Sequence, residues 1–328
     1  MRIPLSRRAL LAAPAMLAGL AWRPAAAQDY PARPIRMVVP YPPGGASDVI
    51  ARLLAQPMAE ALGQTLIVEN RVGANGAIAA ELVVRSAPDG YTLLMGNAGP
   101  NALGQALLGR RLPYDSIADF SPIALVSEVP LIIGIHPAVP ATDLQSLIAL
   151  ARARPGAVNY ATGGIGSAPH LSMEQLGSLA DVQWVNIGFR GGQLAMVAVL
   201  AGQIPILIDT SPVLLPQIRD GKLRGIAVST AQRIPQMPEL PTIAEQGFPG
   251  FAATSWGGML GPANLPAPIV DRLNAAIVRA INTPQVRDTM IRGGIVPLAS
   301  TPAEFSAHIA TEVRRWTEVV QRANIQPE

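Results

Sequence analysis

Asp48, Asp209 and His170 are the side chains best placed to do chemistry in this 328-residue sequence, because each lies at a turn or helix start that follows a β-branched run. Two carboxylates and an imidazole could serve a hydrolase or isomerase as acid, base and orienting group. The rest of a catalytic set is thin. No two of the three histidines, His136, His170 and His308, stand at the i, i+3 or i, i+4 spacing of a helical metal site. There is no cysteine, which excludes a thiol nucleophile, a disulfide and a zinc–thiolate centre. No Gly-x-Ser-x-Gly elbow or P-loop occurs, and Gly164-Ile165-Gly166 is followed by Pro169 where a dinucleotide fingerprint needs Gly or Ala. No catalytic residue, metal or cofactor is therefore assigned. The aspartates read as turn caps or as acceptors of ligand hydrogen bonds, and His170 as either a carboxylate ligand or a structural hydrogen-bonding residue.

The turns offer binding groups more plainly. Pro40-Tyr41-Pro42-Pro43-Gly44-Gly45-Ala46-Ser47-Asp48 joins a buried-strand pattern, Ile35 to Val39, to a helical spacing of apolar residues from Val49 to Leu62. A strand–turn–helix join leaves the first helical N–H groups unpaired and aimed out of the loop, and glycine lets a ligand come close to that backbone. It is a seat for an anion or an ordinary βα turn, and the stretch alone leaves both open. Thr162-Gly163-Gly164-Ile165-Gly166-Ser167 repeats the arrangement, Arg190-Gly191-Gly192 adds a third turn, and Asn97 follows another strand. Four or five charge-assisted hydrogen bonds at roughly 1.5–3 kcal/mol each would support micromolar binding, about −8 kcal/mol, after ordering costs.

The elements that must position these groups alternate. Strands are expected at Thr65 to Glu69, Tyr91 to Met95, Val158 to Ala161, Val182 to Ile187, Ile204 to Ile208 and Gly225 to Ser229. Helices are expected at about Ala77 to Ser86, Leu144 to Ala153, Pro169 to Leu179 and Gln193 to Ala201, with late helices at Ala267 to Ile281 and Ala303 to Ala323 packing on the first lobe. Strand–helix–strand order means parallel pairing in an α/β sheet, whose ligands sit beyond the carboxyl ends of the strands. Leu103 to Phe120 reads as irregular, and Ile123 to Ile135 as a strand crossing between lobes with a break near Pro130.

Residues 1–27 form a secretory signal pattern: Arg2, Arg7 and Arg8, an apolar run from Ala9 to Ala21, then Ala25-Ala26-Ala27. Ser6 to Leu11 resembles a twin-arginine signal, though paired arginines also open ordinary leaders. The formal charge is +3; removing four leader arginines leaves 3 − 4 = −1, and Lys222 is the lone lysine, so no basic stripe marks a nucleic-acid partner. A soluble periplasmic product is expected.

Pro34-Ile35-Arg36 through the Pro-Pro-Gly-Gly turn to Asp48, Val68-Glu69-Asn70-Arg71, Pro88-Asp89-Gly90-Tyr91-Thr92-Leu93-Leu94, Leu112-Pro113-Tyr114-Asp115, Asp119-Phe120, Gly221-Lys222-Leu223-Arg224 and Pro241-Thr242 to Gly247 carry a resemblance in order and spacing. The chain resembles the Bug family, extracytoplasmic solute receptors of tripartite tricarboxylate transporters. The resemblance implies a two-lobed type II periplasmic binding protein of α/β class, with lobe 1 at residues 28–127 plus 255–328 and lobe 2 at 128–254. It implies a monomer without cofactor that holds a small organic carboxylate and serves integral membrane subunits of the transporter. By position it implicates Tyr41, Gly44, Gly45, Ala46 and Asp48, then Thr162, Gly163, Gly166, Ser167, His170 and Asp209, beside the Ser47, Asn97, Arg190 and Gly191 chosen from the turns. A periplasmic enzyme using Asp48, Asp209 and His170, and a ligand sensor, are the alternatives.

Overall fold

A computed structural model describes residues 30–322 and 325. The leader and the expected new N-terminus near Gln28 lie outside the described residues. In chain order the elements are β1 Ile35–Val39, α1 Ala46–Leu62, β2 Leu66–Asn70, α2 Ala77–Val84, β3 Thr92–Asn97, α3 Gly104–Leu108 and β4 Phe120–Ile135. There follow α4 Leu144–Ala153, β5 Val158–Thr162, α5 Ala168–Ala180, β6 Trp184–Gly188, α6 Gly192–Leu200, β7 Ile206–Thr210, α7 Ser211–Arg219 and β8 Arg224–Val228. The chain ends with β9 Thr254–Pro262, α8 Ala267–Ile281, α9 Pro284–Arg292, β10 Val296–Pro297 and α10 Pro302–Arg322.

The strands run in the order β2-β1-β3-β9-β4-β7-β5-β6, with β8 and β10 also on β4. The outer strands are parallel: β1 pairs with β2 and β3, and β5 pairs with β6 and β7. Antiparallel β9 and β4 lie between them. This parallelism follows from the β-turn-α alternation, since a helix must return the chain before the next strand begins. It also puts every strand-to-helix turn of one half at the same sheet edge.

β4 is the strand the halves share. Phe120 to Pro130 pairs with β9, and Leu131 to Ile135 pairs with β7. No break occurs at Pro130, contrary to the sequence expectation. Pro130 sits where the strand changes partner, so its missing N–H falls at the end of the β9 ladder, and the irregularities lie instead between Pro122 and Ala124 and between Leu125 and Ser127. Leu103 to Phe120 is more ordered than expected, with a π-helical turn at Gly99–Leu103 running into α3. Helix α7 falls where no element was expected; Pro212 occupies its first turn, where no N–H is needed, and Pro216 is carried inside the helix. α9 and β10 are likewise additions.

Ile50, Leu54, Met58 and Leu62 form the buried stripe of α1 and pack with Met37, Leu93, Leu273 and Ile277, tying α8 to the first half as expected. Tyr160, Leu171, Met173 and Trp184 fill the corresponding space under β5 and β6. α10 closes the central crossing: Phe305 is fully buried and meets Trp256 edge-on, ring centroids 5.6 Å apart. The Phe305 ring occupies the space a Cβ would need on Gly258. Gly258→Ala should therefore cost about 1–3 kcal/mol through overpacking. Thermal unfolding should show a melting temperature several degrees lower with a single transition.

Candidate functional site

Four helices begin at one cleft. The residues lining a cavity of ≈ 100 Å³ include Gly45, Ala46 and Ser47 at the start of α1, Ala168 and Pro169 at the start of α5, Gly192, Gln193 and Leu194 at the start of α6, and Thr210 at the start of α7. Each start leaves backbone N–H groups without an intrahelical acceptor, and each carries the positive end of a helix dipole. α1 lacks a side-chain cap altogether, with extended Gly45 at its N-cap, so its first amides remain open toward the cavity. The helix starts at Ala46, three residues before the apolar pattern that announces it, because that pattern registers only from the first core residue, Val49. Ser167 caps α5 through its hydroxyl, which accepts from the His170 N–H and donates to the Gly164 carbonyl at 2.6 Å.

The two halves meet across the cavity. Gln193 Nε2 donates to the Gly44 carbonyl at 3.2 Å, and a Cβ on Gly191, whose φ is +118°, would stand 2.8 Å from the Pro42 ring. Gly191 thus combines a left-handed backbone with a close approach that a side chain would prevent.

Ten of the residues expected from sequence line this cavity: Tyr41, Gly45, Ala46, Ser47, Asn97, Gly163, Ser167, Arg190, Gly191 and Asp209. Asn97 links the first turn to β3, donating from Nδ2 to Ser47 Oγ at 3.0 Å and accepting the Gly99 N–H at 2.9 Å. Tyr41 Oη donates to Asn75 Oδ1 at 2.8 Å, and burial raises the pKa of its phenol well above the ordinary value. Arg190 is exposed and has no ion pair among the described residues.

The other five do not line it: Gly44 is exposed at the mouth, Gly166 lines a neighbouring cavity, and Asp48, Thr162 and His170 are buried behind the wall. Asp48 is turned inward, where its carboxylate accepts from the Gly44 N–H at 3.0 Å, Arg52 Nε at 3.0 Å and Asn70 Nδ2 at 2.9 Å. Burial pushes this carboxyl up, but the hydrogen bonds from Arg52, Gly44 and Asn70 outweigh it and hold it below the usual range. Gly44 is thereby fixed by its own loop. His170 Nδ1 accepts the Gly166 N–H at 3.0 Å, and burial lowers its pKa to about 4, so it is a neutral brace for the second turn and no cation for a carboxylate. Thr162 Oγ1 donates to Asn186 Oδ1 at 2.9 Å and steadies the end of β5. The catalytic alternative loses its geometry here, since Asp48 is spent on Arg52 and Asn70, and His170 on its own turn.

Asp209 is the acid of the cavity. Its Oδ1 accepts from the Thr210 N–H at 2.6 Å and Thr210 Oγ1 at 3.0 Å, while a Cβ on Gly192 would collide with the carboxylate. Burial raises its pKa to about 6, which the Thr210 hydrogen bonds only partly offset. Among the lining residues Asp209 and Arg190 are the groups that carry acid and base. Sequence reasoning missed Val213 and Ser255 in this lining. Val213 follows from the unexpected α7, and Ser255 carries no signal of its own at the start of β9. No group of three or more potential metal ligands exists among the described residues. No helix among them is long and apolar enough to cross a membrane.

Comparisons with known proteins agree with this arrangement. The description "Tripartite tricarboxylate transporter family receptor" (TctC) matches residues 50–325, and the chain belongs to that family. It is 38% identical to Protein BugT of Bordetella pertussis (strain Tohama I) over 307 residues, 93% of each chain. Among solved structures, R. palustris Rpa4515 with adipate superposes with a TM-score of 0.88 at 33% identity, covering 92% of this chain and 100% of that one. MatC from Rhodopseudomonas palustris with bound malate gives 0.85 at 33% identity, covering 89% and 100%. The fold is that of a periplasmic binding protein and the family is a solute receptor, so the chain is not an enzyme.

Asp48→Asn should destabilise the protein by about 1–3 kcal/mol, because Arg52, Asn70 and the Gly44 N–H lose a charged acceptor. The depressed carboxyl contributes stability above the ordinary carboxylate range and loses it as pH falls through its folded value. Urea unfolding at neutral and acid pH should therefore separate the wild type from the variant at neutral pH and bring them together in acid.

Proposed function

We propose that the chain captures a small carboxylate in the periplasm between two lobes, residues 28–127 with 255–328 and residues 128–254, and delivers it as a monomer to the integral membrane subunits of a tripartite transporter. The observation that carries this reading is the convergence of four helix starts and Arg190 on one cavity. Unpaired amides and positive dipole ends favour an anion without a buried lysine or arginine clamp. The bound malate and adipate of two related proteins support the same class of ligand. The export pattern in residues 1–27 supports the compartment.

In this reading Ala46 and Ser47 amides, with the Ser47 hydroxyl and the facing Gly192 amide, grip a carboxylate, and Ser167, whose hydroxyl proton lies on the Gly164 carbonyl, holds the facing turn. Tyr41, Gly45, Asn97, Gly163 and Gly191 shape the wall. Asp48, Thr162 and His170 act one layer back by holding the turns in place, with Gly44 at the mouth and Gly166 in the second turn. Arg190 and Asp209 sort ligands by charge. The Gln193–Gly44 bond across the mouth is the contact through which closure is linked to occupancy.

Binding to the native state stabilises it by mass action. A panel of mono-, di- and tricarboxylates, amino acids and aromatic acids should contain ligands that raise the melting temperature of the folded, ligand-free protein. An unchanged melting temperature across the panel contradicts the proposal. Arg190→Ala should weaken the best carboxylate roughly tenfold or more, the worth of one charge-assisted hydrogen bond, as read by titration calorimetry.

Asp209 gives a pH signature. Its folded pKa, about 6, lies above the ordinary carboxylate value, so its contribution to folding is full below that ordinary value and is lost as pH rises through about 6. Deprotonation also puts a negative charge beside an anionic ligand. Carboxylate affinity should rise as pH falls from about 8 toward about 6, and Asp209→Asn should flatten that dependence.

A further inference from the structure

A second cavity, of ≈ 370 Å³, lies against the first, and Tyr41, Gly99, Gly163, Arg190 and Gly191 line both. The Tyr41 ring is part of the shared wall, with its hydroxyl already committed to Asn75 Oδ1. Val72, Leu107, Leu108, Leu112, Ile165 and Phe189 supply the walls, and the Tyr114 hydroxyl is spent on the Pro100 carbonyl at 2.8 Å. No carboxylate lines this space, and Arg190, at its junction with the first cavity, is its one charged lining residue.

The pair is lopsided. Both are lined mostly by hydrocarbon, but the smaller cavity holds the helix starts and Asp209, while the larger one holds no acid and has the room. At roughly 30 Å³ per water-sized group, the larger space takes on the order of ten heavy atoms, more than a four-carbon acid can fill beyond its carboxylate. A second carboxylate placed among these leucines and Phe189 would lose its water without gaining a cation, since the single arginine stands at the junction. An aliphatic or aryl group placed there would instead leave water for apolar contact.

We propose that the two cavities are one binding site in two chambers, and that the second receives the hydrocarbon body of an acid whose carboxylate is held in the first. The solute class is then amphipathic monocarboxylates, medium-chain or aryl-alkanoic, in preference to short acids of high charge. This rests on the receptor reading above and narrows it.

The test is calorimetric titration of the purified mature protein with butanoate, hexanoate, octanoate, 4-phenylbutanoate and succinate. Affinity should rise about fourfold per added methylene, and 4-phenylbutanoate should bind at least tenfold tighter than butanoate, with a more negative heat-capacity change. Leu107→Trp, which fills the second chamber, should lower the ratio of 4-phenylbutanoate to succinate affinity at least tenfold. Leu108→Phe is the second variant, and unliganded melting curves establish that either protein is folded. Succinate binding with no gain along the chain-length series overturns the second chamber and leaves the receptor reading standing. An unchanged ratio in both folded variants overturns it as well. Failure of every one of these acids to bind, with a melting-temperature response elsewhere in the broader panel, overturns the second chamber alone, and failure across that whole panel overturns both readings.

Discussion

A helix that starts at the carboxyl end of a parallel strand cannot pair its own first amides, and much of this molecule answers that constraint. In each half the β-turn-α alternation collects such starts at one sheet edge, and the antiparallel pair β4 and β9 sets the two edges face to face. The first amides of α1 then point into a space shared with the starts of α5, α6 and α7. The framework thereby builds an electropositive pocket from backbone alone, and a cation need not be buried to make it. Arg190 stays exposed, which spares the fold the desolvation of a guanidinium.

The residues behind the pocket explain why those amides hold still. Asp48 would be costly to bury alone, yet three donors converge on it and Asn70 continues to the Tyr41 carbonyl at 2.9 Å, so the first turn is tied to β2 at both ends. His170 does the same for the second turn with a neutral ring. Asp209 is the exception. Among the described residues only Thr210 supports it, and burial leaves it ready to take up a proton near neutrality. Its place on β7 against the start of α6, where glycine alone fits beside it, makes it the group in the wall whose charge a ligand can change.

Most of this architecture is legible in the sequence where periodicity and punctuation agree. β1, α4 and α8 keep the limits that their apolar spacing suggests, and the Gly-rich turns at Gly44 and Thr162 do converge. The failures have physical causes. Pro130 looks like a strand breaker, but a strand that hands over from β9 to β7 at that residue tolerates it. α7 lies in a stretch where no element was expected; Pro212 sits in its first turn and costs no hydrogen bond, and Pro216 is carried inside. At the site, sequence distinguishes turn residues from core but not which way a side chain faces. Asp48 and Asp209 look alike on the page, yet one braces the fold and the other lines the cavity. The second chamber is assembled from segments more than eighty residues apart, Leu107 with Phe189 and Val72 with Ile165, so no local pattern could announce it.

The central claim is that the backbone starts of helices from both halves hold a carboxylate. A crystal structure of the mature protein with its tightest-binding acid tests it most directly. The account predicts carboxylate oxygens within hydrogen-bonding distance of the Ala46 or Ser47 N–H and of a donor from the facing turns, the Gly192 N–H. A carboxylate bound outside this cleft, or one held only by Arg190 with the helix amides unengaged, would contradict it.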